Sequence, residues 1–140
     1  MFAEDLIPGT AYDLGEYVLT TADIVGFARQ WDPQEFHTDE STTGFFGGVV
    51  ASGLHSMAVL QRLSVLNAYC DWAVLAGRRI REASFLAPAR PGMTLRACLV
   101  IDRVDFRDDE RALVTVSSTL TAGGTVILAT VNELYVLRRR

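Results

Sequence analysis

A chain of 140 residues, 49% apolar and 21% charged, is read as one domain over 1–140 with room for a real core. Its formal net charge of −4 excludes a general nucleic-acid binder. No uncharged apolar run is long enough for a membrane span, and the acidic start Met1-Phe2-Ala3-Glu4-Asp5 lacks a signal peptide's basic flank, so the expectation is a cytoplasmic protein working away from membranes. Cys70 and Cys98 form no C-x-x-C pair and are read as reduced, buried cysteines. All thirteen basic residues are arginine, which is read as composition rather than as a ligand signal.

Residues 1–15 look irregular, with a turn at Pro8-Gly9, and Glu16–Thr20 reads as a short strand. A helix follows. Thr20 or Thr21 can cap it, Asp23 suits its first turn, and Ile24, Phe27, Ala28 and Trp31 share one face. Pro33 ends it, because proline disfavours helical geometry in the residue before it. Gln34–Val50 reads as loop. Ser52 is a good N-cap for a second helix to about Tyr69, whose apolar residues cover most of its circumference and predict a fully buried helix. Four strands then follow, expected as an antiparallel meander: Arg79–Ala87, Thr94–Phe106, Leu113–Thr121 and Thr125–Leu137. A sheet wrapped round one helix leaves an edge, and pairing that edge with a second copy predicts a dimer.

The chain has two histidines, His37 and His55, so the search for a proton carrier is short. Asp32 and His37 stand five apart; a carboxylate and an imidazole meeting at one water or one carbon can take a proton and give one. Gly53 sits at the predicted helix start, where the free first-turn N–H groups can bind a developing oxyanion. His55 is read as a satisfied structural histidine in that first turn. Ser52 is read as a cap rather than a nucleophile, since no G-x-S-x-G elbow surrounds it. No histidine or cysteine spacing suggests a metal site.

Together these pieces resemble the MaoC-like dehydratase family, the hot-dog-fold (R)-specific enoyl-CoA hydratases. The matching stretches run in order: Phe27-Ala28 to Trp31-Asp32-Pro33, His37-Thr38-Asp39, Phe46–Gly53, and Phe85-Leu86-Ala87-Pro88-Ala89-Arg90-Pro91-Gly92-Met93-Thr94-Leu95. The resemblance implies an α+β hot-dog fold, an antiparallel sheet of about five strands round a long central helix. It implies reversible hydration of a 2-enoyl thioester, CoA rather than acyl carrier protein, without a cofactor. Asp32 and His37 would be the catalytic pair, the Gly53 N–H the donor to the thioester oxygen, and Ser52 and His55 supporting residues. The expected assembly is a homodimer, a heterodimer with a related chain, or an oligomer of dimers. This chain has Ser52-Gly53 where many members have His-Gly, and its segment from His37 to Gly47 is short. Two other readings compete. A hot-dog thioesterase would place a carboxylate on the central helix, and Leu54–Asn67 has none. A non-catalytic acyl-thioester-binding subunit would have no need of both Asp32 and His37.

Overall fold

The computed structural model covers residues 1–140 and shows a five-stranded antiparallel sheet curled round one long helix, the hot-dog fold. The strands are β1 (Ala11–Val18), β2 (Val74–Phe85), β3 (Thr94–Phe106), β4 (Arg111–Ala122) and β5 (Thr125–Leu137). The helices are α1 (Thr21–Trp31), the single turn α2 (Glu35–Thr38) and the long α3 (Gly53–Asn67). No helix is long and apolar enough to cross a membrane.

Alternation decides which side of the sheet meets α3. Leu95, Ala97, Leu99 and Ile101 of β3 are fully buried, while Arg96 and Cys98 between them face out. Register carries that inner face across the sheet: Ala97 lies opposite Leu120, Ile101 opposite Val116, and Leu120 opposite Leu128. Each such leucine contributes about 1.5–3 kcal/mol relative to exposure. The tight turn between β4 and β5 is made by Gly123 and Gly124, both at positive φ, as a two-residue hairpin requires.

Several expectations change. The strands are not a simple meander: the order is β1-β3-β4-β5-β2, so β2 leaves α3 for the far edge, pairs with β5, and the chain then crosses to β3. Sequence order carries no information on which neighbour a strand finds. The first strand begins at Ala11 and ends at Val18, five residues earlier than its apolar run suggested and two short of Thr20. Its start is disguised by Asp13 and by Gly15, which sit at a register shift with Gly15 at positive φ. The segment 34–50 is not all loop, since α2 interrupts it. Cys70 and Cys98 are free, as expected, but exposed rather than buried; the alternation of β3 that buries Leu99 turns Cys98 outward.

Helix α3 is not buried all round within one chain. Val59, Leu60 and Leu63 pack on the sheet, but Leu54, Val65 and Leu66 are exposed. Beside them runs β2, exposed along nearly its whole length, with Leu75, Ile80 and Phe85 open to solvent. The free β2 edge and the open face of α3 lie on one side of the molecule, where both expose apolar residues.

Candidate active site

The site forms where α1 ends and α3 begins. Thr20 caps α1, its Oγ1 accepting from the Asp23 N–H at 3.1 Å, and Ile24, Val25 and Ala28 anchor the helix in the core. Pro33 stops α1, leaving Asp32 as its C-cap with the Asp32 N–H still bonded to the Ala28 carbonyl at 2.8 Å. A rigid backbone thus aims the Asp32 carboxylate at the N-terminus of α3.

Both oxygens of that carboxylate are held. Gln34 Nε2 donates to Oδ1 and Ser52 Oγ donates to Oδ2, each at 2.7 Å. These two hydrogen bonds, Gln34's first and Ser52's second, keep the Asp32 carboxyl below the ordinary carboxylate range. Ser52 works twice, since its Oγ also accepts from the Leu54 N–H at 3.2 Å as the N-cap of α3. Fully buried, it ties the start of one helix to the end of the other.

His37 comes from α2 and is 5% exposed. Its Nδ1 lies 2.6 Å from the Val50 carbonyl. A carbonyl only accepts, so Nδ1 carries the proton and Nε2 is left for a second partner. Nε2 faces Asp32 Oδ2 at 3.4 Å. The Val50 N–H returns a bond to the Phe36 carbonyl at 3.0 Å, so the extended segment before α3 is latched to the turn that carries His37. Ala51 N–H to the Ala89 carbonyl at 2.9 Å ties the same segment to the Pro-rich crossover after β2.

Gly53 is the first residue of α3, and its N–H makes no hydrogen bond within the protein. The absence of a side chain lets the Phe85 ring lie against this turn: a Cβ on Gly53 would sit 2.6 Å from that ring, which would have to move. Asp32, His37, Ser52, Gly53, Phe85 and Ile127 all line one cavity of about 530 Å³.

Of the five residues singled out in the sequence, the fold brings Asp32, His37, Ser52 and Gly53 together and leaves His55 out. His55 points to the other side of α3 and stacks on Phe27, ring centroids 4.6 Å apart and planes 6° from parallel. It is not the satisfied structural histidine expected, because its buried Nδ1 has no hydrogen-bond partner. The reason is its neighbour: an aromatic face offers packing but no acceptor in the ring plane. Burial pushes the His55 imidazole below its ordinary pKa, with the Asp23 carboxylate opposing. Sequence reading missed Gln34 and Phe85. Gln34 had a signal, since a side chain two residues past the helix-ending Asp32, with a proline fixing the turn, can fold back on that carboxylate. Phe85 opens one of the family-like stretches, but its approach to Gly53 is purely tertiary and no local signal gives it. No three His, Cys, Asp or Glu side chains converge as a ligand set for a metal.

Comparison with known proteins bears on the family and the fold. Residues 4–123 match the family model of the MaoC-like domain. An uncharacterized protein of Bacillus subtilis (strain 168), YdeM, is 26% identical over 122 residues, covering 85% of this chain and 86% of its own. The crystal structure of the MaoC-like dehydratase from Rhodospirillum rubrum superimposes with a TM-score of 0.90 at 32% identity, over 100% of this chain and 99% of that one. The (R)-hydratase of A. caviae involved in PHA biosynthesis shares the fold, with a TM-score of 0.72 at 18% identity, over 97% and 99% of the two chains. The matched length and the likeness of the whole chain to the Rhodospirillum structure show that this chain belongs to the MaoC-like dehydratase family of hot-dog proteins.

Proposed function

We propose that this protein adds water reversibly to a 2-enoyl thioester, an acyl-CoA, with Asp32 and His37 as acid–base pair and the Gly53 N–H as oxyanion donor. The observation that carries the reading is the convergence of a carboxylate held in its charged form, an imidazole whose Nε2 faces that carboxylate, and a free helix-terminal N–H on one cavity. In the hydration direction Asp32 takes a proton from water as the oxygen bonds to the β-carbon. His37, protonated at Nε2, gives its proton to the α-carbon. The negative charge that passes onto the thioester oxygen is met by the Gly53 N–H at the positive end of α3. Proton transfer from Asp32 to His37 across their contact restores the pair, and dehydration runs the same steps backwards.

The exposed β2 edge and the open face of α3 support a second part of the reading. A second copy of the chain, set against this side, continues the sheet and covers Leu54, Leu66, Ile80 and Phe85. Since Gly53 and Phe85 adjoin this side, the site lies close to the subunit junction. Light scattering at micromolar protein should give a dimer or a multiple of it; an active monomer contradicts this part alone.

The test of the chemistry is crotonyl-CoA. Loss of its enoyl-thioester absorbance without release of free thiol is the expected result. Free thiol would make the protein a thioesterase, and neither change with tight binding would make it a non-catalytic acyl-thioester-binding subunit.

A further inference from the structure

Ser52, Ser56 and Ser64, the cap and two residues of α3, are all buried. Two of them have partners. Ser52 Oγ donates to Asp32, and Ser64 Oγ donates to the Leu60 carbonyl one turn back, at 2.8 Å. A serine inside a helix ordinarily makes that backward bond. Ser56 does not. The carbonyl one turn back from it is that of Ser52, which already accepts from the His55 N–H at 3.0 Å and from the Ser56 N–H at 3.1 Å. Both lone pairs of that oxygen are in use. Ser56 is 4% exposed and lines the active-site cavity. Unlike Nδ1 of His55, its Oγ is not sealed from that space. A buried hydroxyl without a protein partner, open on a cavity, is left for whatever occupies the cavity.

Helix geometry says which atom of the occupant Ser56 meets. At about 100° per residue, position 56 falls between positions 52 and 53 around α3, about 4.5 Å further along the axis than Gly53. Its side chain leans back over the turn that carries Ser52, and Ser52 holds Asp32. Helical N–H groups point toward the helix start, so an oxygen on the Gly53 N–H lies beyond the end of α3, away from Ser56. The two groups therefore serve different oxygens. We propose that Ser56 binds the oxygen that adds to the β-carbon: water in hydration, the β-hydroxyl in dehydration. The inference rests on the dehydratase reading and adds to Asp32 and His37 a side chain that orients the reacting oxygen. One O–H of the water faces Asp32, which takes that proton, and the other donates to Ser56 Oγ. A lone pair is then directed at the β-carbon. Ser56 exchanges no proton; the α-carbon receives its proton from His37. In reverse, the β-hydroxyl donates to Ser56 Oγ while Asp32 protonates its oxygen, and the C–O bond breaks to release water.

The test is Ser56→Ala, with Ser56→Cys as a variant of nearly the same shape and weak hydrogen-bonding power. Each should lower kcat for crotonyl-CoA hydration by at least about tenfold, through lost orientation of the water, and leave KM unchanged, since crotonyl-CoA lacks the β-oxygen. Ser56→Ala should melt no lower than wild type, because it removes an unpaired hydroxyl and alanine suits a helix. Binding gives a second readout. In Asp32→Asn, where turnover is slow, adding Ser56→Ala should weaken 3-hydroxybutyryl-CoA about fivefold, the worth of one hydrogen bond, and leave butyryl-CoA unchanged. Wild-type kcat in both variants overturns this inference and leaves the dehydratase reading standing. So does equal weakening of the two ligands, or a clear fall in the melting temperature of Ser56→Ala, either of which would make Ser56 a packing residue. Failure of wild type to turn over any enoyl-CoA removes both the dehydratase reading and the inference built on it.

Discussion

The two histidines of this chain are buried almost equally, 5% exposed for His37 in α2 and 7% for His55 in the first turn of α3. Their surroundings differ in kind. His37 has a carbonyl on one nitrogen and a carboxylate facing the other. His55 has an aromatic ring on its face and no partner for Nδ1. Burial alone makes a histidine hard to protonate. A fixed tautomer with the second nitrogen aimed at a carboxylate makes it able to pass a proton in a defined direction. The comparison teaches that the second partner, and not depth, separates a histidine placed to carry a proton from a packed ring.

The largest effects should come from breaking the His37 side. Asp32→Asn and His37→Ala should each lower turnover of crotonyl-CoA by at least about 10²-fold. The structure adds a stability cost for His37→Ala, because the Val50 carbonyl loses its donor in a buried setting; about 1–3 kcal/mol should appear in a denaturant melt. Asp32→Asn, whose side chain remains able to hydrogen-bond, should fold with much less loss. His55→Phe should keep turnover close to wild type. Activity in His37→Ala together with inactivity in a folded His55→Phe would reverse the assignment.

A smaller effect should follow from loosening the carboxylate. With Gln34→Ala or Ser52→Ala, Asp32 loses a donor that favours its charged form, so its pKa rises toward the ordinary value. The acid limb of the kcat/KM profile should move to higher pH in both. Ser52→Ala should in addition lose about 1 kcal/mol of stability through the lost cap. From sequence, Ser52 reads as a helix cap; its bond to Asp32 predicts a measurable rate effect at low pH as well. An unmoved acid limb in both variants would remove Asp32 as the group that limits activity there.

The proposed oxyanion donor, the Gly53 N–H, can be probed through its neighbour. Gly53→Ala puts a methyl group against the Phe85 ring and should reduce kcat/KM, with Phe85→Ala in the same chain restoring part of the loss. Gly53→Pro deletes the donor itself and should cost about 2.7–4 kcal/mol in the barrier. Its ring meets Phe85 too, so the double variant with Phe85→Ala is the cleaner measurement. Equal kcat/KM in that double variant and in Phe85→Ala alone would show that the Gly53 N–H carries no charge in the transition state.

The smallest effect is thermodynamic and belongs to His55. Its pKa in the folded state is depressed, so protonation favours the unfolded chain. Its contribution is complete above the unfolded value of about 6.5 and is lost as pH falls through that value toward the folded one. Stability measured by urea melts should fall less steeply below neutral pH in His55→Phe than in wild type. An identical slope would mean that His55 titrates alike in both states.

Much of this was readable along the chain because the signals are local. Thr20 and Ser52 as caps, Pro33 as a stop, the alternation of β3 and the Gly123-Gly124 turn each act within a few residues, and the corresponding elements lie where those signals put them. The grouping of Asp32, His37 and Gly53 came through the family resemblance carried by ordered motifs, since no spacing rule by itself brings position 32 to position 53. Other features were invisible for a definite reason. The placing of β2 beyond β5, the outward turn of Cys98 and the contact of Phe85 with Gly53 depend on which strand pairs with which and in what register.

The amino-acid sequence by itself therefore determined α1 and α3, most of the strands, and the residue types available for acid–base chemistry, because propensity, capping and periodicity are properties of neighbours in the chain. Tertiary structure alone decided that Ser52 reaches Asp32, that His37 and His55 receive opposite surroundings, and that one side of α3 and β2 stays open. Those outcomes depend on contacts between segments far apart in sequence, whose direction and burial exist only once the sheet has closed round the helix.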